Sequence, residues 1–166
     1  TVEHNIIRGF TGDDIHVGLS GASGTIKGLV VEDNTFANNA GAGEPTLELS
    51  SQFSNNSIVG TVISRNTFTG NWNAVGLNGA VAGAYPASGN VISGTVISQN
   101  DFDGNELAIS FIGGAQANAT GNAVLQTEIS DNVITRSMPY VAIGLAGGGQ
   151  AASGNRVDGV SIVNNT

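Results

Sequence analysis

No cysteine occurs in the 166 residues, so neither a disulfide framework nor a thiolate metal site contributes to this fold. That absence also leaves the redox compartment open. Proline is scarce as well: three residues against 25 glycines, without a fixed glycine period, exclude collagen. Five Lys and Arg against 13 Asp and Glu leave a net charge of −8. A chain this acidic has no basic face for nucleic acid or anionic lipid, but suits cations or neutral sugars. No apolar run approaches the length of a membrane-spanning helix. The first residues lack an initiator Met, a basic n-region and an apolar h-region, so the numbering is read as beginning in mature or excised protein. What remains is 40% apolar, enough for one domain with a sizeable core. Few Lys beside many Asn, Thr, Ser and Gly point to an extracellular setting.

What the chain has in abundance is repetition. An apolar residue, an asparagine three further on and an apolar residue two beyond it recur at Val2/Asn5/Ile7, Val31/Asn34/Phe36, Ile63/Asn66/Phe68, Ile97/Asn100/Phe102 and Ile129/Asn132/Ile134. The frame opens again at Ile162/Asn165, and its asparagines lie 29, 32, 34, 32 and 33 residues apart. A period in this range marks a solenoid. Ten residues before the frame asparagine runs a second file, Asn56, Asn90, Asn122 and Asn155, preceded by glycine in three cases. Eight before it lie Ile26, Ile58, Ile92, Val124 and Val157. After it comes an apolar alternation, Val75/Leu77 and Ile109/Phe111, with counterparts Ile15/Val17, Leu47/Leu49 and Ile143/Leu145.

Alternation over so few residues, punctuated by Gly and Asn, indicates strands separated by sharp bends. Three short strands per repeat, pairing in parallel with the next repeat, describe an all-β parallel β-helix of about five rungs across residues 1–166. Each rung buries its apolar face only by stacking. Asparagine at a bend tolerates the left-handed conformation and bonds backbone groups left unpaired there. Identical amides stacked about 4.8 Å apart also bond one another.

The I-x-x-N-x-F/I-x-G-N frame resembles the repeat of the pectin-lyase-like superfamily, over nearly the whole chain. The resemblance implies a right-handed coil, as does the crossover rule for parallel strands. It does not select a function, because that superfamily spans lyases, hydrolases, epimerases, tailspikes and non-enzymatic surface proteins. Gly12-Asp13-Asp14 is similar to one element of the polygalacturonase signature, whose Asn-Thr-Asp, Gly-His-Gly and Arg-Ile-Lys elements are missing. If the chain is an enzyme, Asp13, Asp14 and His16 are the catalytic candidates, since paired carboxylates beside a histidine suit acid–base work. A Gly-Asp-Asp turn entering a strand is the alternative.

Asp101 and Asp103, with Glu106, form a second acidic group, and the pectate-lyase likeness implies Ca²⁺ between strand carboxylates. No acidic column continues from them, and Arg65 is the only base near Asp101 by register. No cofactor is therefore expected, with Ca²⁺ as the candidate if there is one. Thr67-Phe68-Thr69 is not repeated on neighbouring rungs, which removes an ice-binding face. Trp72, Tyr85 and Tyr140 fall at different repeat positions and form no stacking row. Asn55, Asn118 and Asn164 stand in glycosylation sequons, a form that arises by chance in an Asn-rich chain.

Loops near 19–23, 40–45, 80–88, 115–120, 135–140 and 150–153 break the repeat and carry almost no charge. Val30, Val62 and Val96, outward by alternation, form a possible lateral contact. The first and last residues lie inside frames with no capping helix, which reads as a segment of a longer solenoid or a unit stacking on copies of itself. The expected function is a non-enzymatic structural or adhesive module, with copies of itself or a polysaccharide as partner. The alternatives are a carbohydrate-active enzyme and a carbohydrate- or Ca²⁺-binding module without turnover.

Overall fold

The computed structural model describes residues 1–11, 14–19, 21–39, 45–80, 87–114, 118–137, 141–149 and 151–166. Among these residues every strand pairing is parallel and no helix occurs. The strands fall into four sheets, visited in the order A, B, C, D on each turn of a solenoid. Sheet A stacks Val2–Glu3, Val30–Glu32, Val62–Ser64, Val96–Ser98, Glu128–Ser130 and Ser161–Val163. Sheet B stacks Ile6–Arg8, Thr35–Ala37, Thr67–Thr69, Asp101–Asp103 and Val133–Thr135. Sheet C holds the longest strands, Ile15–Leu19, Pro45–Ser51, Asn73–Asn78, Leu107–Ile112 and Ile143–Ala146. Sheet D holds Thr25–Lys27, Ser57–Val59, Val91–Ser93, Ala123–Leu125 and Arg156–Asp158. Strands that neighbour one another in a sheet come from successive turns, and this is the arrangement of a parallel β-helix.

Each turn has four strands where the repeat pattern suggested three. The difference lies in the frame itself. Ile97 and Asn100 both point inward although they are three positions apart, because Gln99 between them sits in the left-handed region at φ 57° and turns the chain. His4, Asp33, Arg65, Asp131 and Asn164 do the same on the other turns, with φ between 54° and 58°. The other three corners use the same device, one left-handed residue followed by one inward residue. Gly9, Asn38, Gly70, Gly104 and Arg136 make the corner from B to C. Glycine relieves the Cβ clash at many of these corners, and a polar side chain tolerates it at most others.

Apolar columns fill the interior in register. Val31, Ile63, Ile97 and Ile129 line sheet A, and Ile58, Ile92 and Val124 line sheet D. Phe36, Phe68 and Phe102 stack from sheet B with ring centroids 4.7 and 4.9 Å apart, which is the strand spacing itself. The counterparts read from the sequence pair as expected: Ile15, Leu47, Val75, Ile109 and Ile143 form one column, and Val17, Leu49, Leu77, Phe111 and Leu145 the next. Among the described residues no helix is long and apolar enough to cross a membrane.

Candidate functional site: asparagine ladders and a polar cluster on sheet C

Two asparagine files were expected, and both stand inside the coil. At the A–B corner the main-chain N–H of Asn5 donates to Asn34 Oδ1, Asn34 to Asn66, Asn66 to Asn100, Asn100 to Asn132 and Asn132 to Asn165, at 2.9–3.0 Å. The side-chain amides reach back to the turn before: Asn66 Nδ2 donates to Val31 O and Asn100 Nδ2 to Ile63 O. At the C–D corner Asn56, Asn90, Asn122 and Asn155 repeat the scheme, each N–H donating to the next Oδ1 at 2.8–3.0 Å. A third file was missed. Asn39, Asn71 and Asn105 line the B–C corner, with Phe10 N–H donating to Asn39, Asn39 to Asn71 and Asn71 to Asn105. Its signal was the final asparagine of the quoted frame, five residues after the first. The D–A corner carries Thr61, Thr95 and Thr127 instead, whose buried hydroxyls have no hydrogen-bond partner.

The polar chemistry outside the ladders gathers on the outer face of sheet C. There His16 of the first turn lies beside Glu48 of the second, and Gly18 beside Ser50. Ser50 Oγ is 2.8 Å from His16 Nε2, and Glu48 Oε2 is 3.8 Å from the same nitrogen. Asn78 Nδ2, one turn further on, donates to Glu48 Oε1 at 2.5 Å. Glu48 is 2% exposed and Ser50 fully buried, whereas the His16 side chain is 33% exposed. A Cβ on Gly18 would come within 2.6 Å of His16 Nε2, so the ring lies where only glycine leaves room. Beside it is a cavity of about 180 Å³ lined by His16, Gly18, Leu19 and Gln52.

Of the three catalytic candidates, the structure brings Asp14 and His16 to this region and buries both carboxylate oxygens of Asp14. Asp13 lies outside the described residues. Glu48, Ser50, Asn78 and Gln52 were not singled out from the sequence. The Ser50–His16 distance matches a nucleophile and its base, but an attacking oxygen must be reachable and Ser50 is not. Glu48 also approaches the nitrogen that Ser50 already uses, whereas a relay needs the carboxylate on the other one. Ser50 and Glu48 thus both meet the imidazole at Nε2.

The Asp101/Asp103 group is organised differently from the sequence reading. Asp101 and Asp103 flank inward Phe102, but the base beside them is Arg136, not Arg65. Arg136 Nε donates to Asp103 Oδ1 at 2.6 Å, its NH2 pairs with Oδ2, and Thr135 Oγ1 adds a bond of 2.9 Å. The guanidinium first, then the hydroxyl, holds the Asp103 carboxyl below its ordinary range. Arg65 turns to the preceding rung, bonding Glu32 at 2.5 Å and Asp33 at 2.8 and 3.0 Å, which lowers the pKa of Asp33. Glu106 is half-buried and apart from both pairs. Among the described residues no group of three or more His, Cys, Asp or Glu is placed to hold a metal ion.

Val30, Val62 and Val96 stack on the outside of sheet A, but they are half-buried and the column continues as Glu128 and Ser161. The sequons differ from the ladders: Asn55, Asn118 and Asn164 are exposed left-handed residues. A scan against protein-family models, a search of curated proteins and a search of solved structures find no match to this chain. The molecule is defined by its geometry, an all-β parallel solenoid carrying three asparagine ladders.

Proposed function

We propose that the chain is a non-enzymatic structural or adhesive module, working at the cell surface or outside the cell as a filament-forming subunit or fibre segment. The observation that carries this reading is the polarity of the ladders. Along each ladder an inner asparagine's Oδ1 accepts the main-chain N–H of the turn before while its own N–H donates to the Oδ1 of the turn after, so the two sides of a rung differ. Rungs with that asymmetry mate only head to tail, and a contact of this kind does not close on itself. Copies of this chain are the partner this reading requires. Light scattering tests it: mass should rise with concentration in the native chain and stay at the 16.7 kDa monomer in Ile162→Lys. A monomeric native chain at every concentration would refute it.

A second reading, a carbohydrate-active enzyme, is favoured by the held imidazole of His16 beside the buried carboxyl of Glu48. Its test is cleavage of uronan and neutral polysaccharides by the purified chain, with loss of activity in Asp14→Ala and His16→Ala.

A further inference from the structure

We infer that sheet D is the face through which rods of this chain pair side by side, so that the occupant of the face is a second copy. The inference rests on the head-to-tail reading and adds a lateral contact to it. Outward from sheet D stand two columns: Thr25, Ser57, Val91, Ala123 and Arg156, and Lys27, Val59, Ser93, Leu125 and Asp158. The middle three residues of each column are small or aliphatic and half-buried or buried, whereas Lys27, Arg156 and Asp158 at the margins are exposed. An apolar centre with a charged margin is the anatomy of a protein interface.

Charge selects this face over the others. At a net charge of −8 two copies repel each other, and contact is least opposed where bases balance acids. The strands of sheet A carry Glu3, Glu32 and Glu128 and no base, and those of sheet B carry Arg8 against Asp101 and Asp103. Sheet C carries Glu48 beside His16. Among the described strands, those of sheet D alone hold more Lys and Arg than acids, Lys27 and Arg156 against Asp158. Among the described residues neither of these two bases forms an ion pair. The face is also complementary to itself under a two-fold axis. Asp158 falls opposite Lys27 of the second copy when the two run antiparallel, and opposite Arg156 of the second copy when they run parallel. Either orientation brings two pairs of opposite charges together.

Size decides when the contact forms. Five three-residue strands present a face of roughly 10 by 24 Å at standard strand geometry. That is a few hundred Å² against about 800 Å² per partner in a stable complex, so single chains do not pair. A rod repeats the face along its length, and the repeats act together. The experiment is electron microscopy of rods grown from the native chain and from Ser93→Arg, which sets a bulky charge in the middle of the face. Native rods should lie in pairs. Ser93→Arg, shown to be folded by circular dichroism, should give rods of the same length that stay single. Because the chain has no cysteine, Ser93→Cys rods treated with a short bismaleimide should yield a covalent two-chain product, and Thr35→Cys rods, altered on sheet B, should yield none. Native rods that stay single, pairs that survive Ser93→Arg, or cross-linking at Thr35→Cys and not at Ser93→Cys would overturn the pairing and leave the stacking intact. A native chain that forms no rods refutes the stacking reading itself, and the pairing with it.

Discussion

At the scale of single residues, each side chain takes its value from the rung above or below it. Asn100 accepts from Asn66 and donates to Ile63 O and Asn132 Oδ1, all within the buried interior. Asn100→Ala strands several buried partners at once and should cost about 3 kcal/mol or more, read from the urea midpoint. The threonine corner behaves in the opposite way. Thr95 buries a hydroxyl without a partner, so Thr95→Val should stabilise the chain by about 1 kcal/mol; a loss of stability would mean that the hydroxyl is bonded after all. For the exposed Asp103–Arg136 pair the sign is fixed by a lowered folded-state pKa. Its contribution is present above the ordinary Asp value of 3.8 and disappears as pH falls through the lower folded value. Thermal melts of native and Arg136→Ala chains should therefore differ slightly at neutral pH and converge in strong acid and in high salt. The polar cluster was half legible at this scale. Aligning Ile15/Val17 with Leu47/Leu49 places His16 beside Glu48, whereas Asp13 and Asp14 are neighbours of His16 in the chain rather than across the sheet.

At the scale of the strand and the corner, the repeat frame carried nearly all the information. The inward columns of Val, Ile, Leu and Phe were readable because β alternation is strict and the period is almost constant. The fourth strand was not, since a single left-handed residue such as Gln99 turns the chain without any Gly or Pro to announce it. The third asparagine ladder escaped for a related reason: Phe10 and Ser137 occupy its file on the outermost turns, so Asn39, Asn71 and Asn105 form only a partial column. The phenylalanine stack is the element most sensitive to volume. Phe68 lies between Phe36 and Phe102 with nearly parallel rings, at 5° and 6°. Phe68→Ala should leave a cavity against both neighbours and cost about 3–5 kcal/mol, measured by denaturant unfolding.

At the scale of the whole molecule, the fold is a one-dimensional stack in which each turn contacts only its neighbours, and stability should accumulate turn by turn. In the unassembled monomer amide exchange should accordingly be slowest in the middle turns, around Ile63, Ile97 and Phe68, and fastest in the outermost ones, where Ile6 and Ile162 are exposed. The ladders give that stack a direction, and from the direction follows the proposed role as a polar, self-extending rod. Electron cryo-microscopy of the purified chain at rising concentration tests this most directly. Unbranched rods many molecules long, with an axial repeat of about 4.8 Å and all subunits pointing the same way, are the predicted result. Particles one molecule long at every concentration, or rods built from subunits of alternating direction, would contradict it.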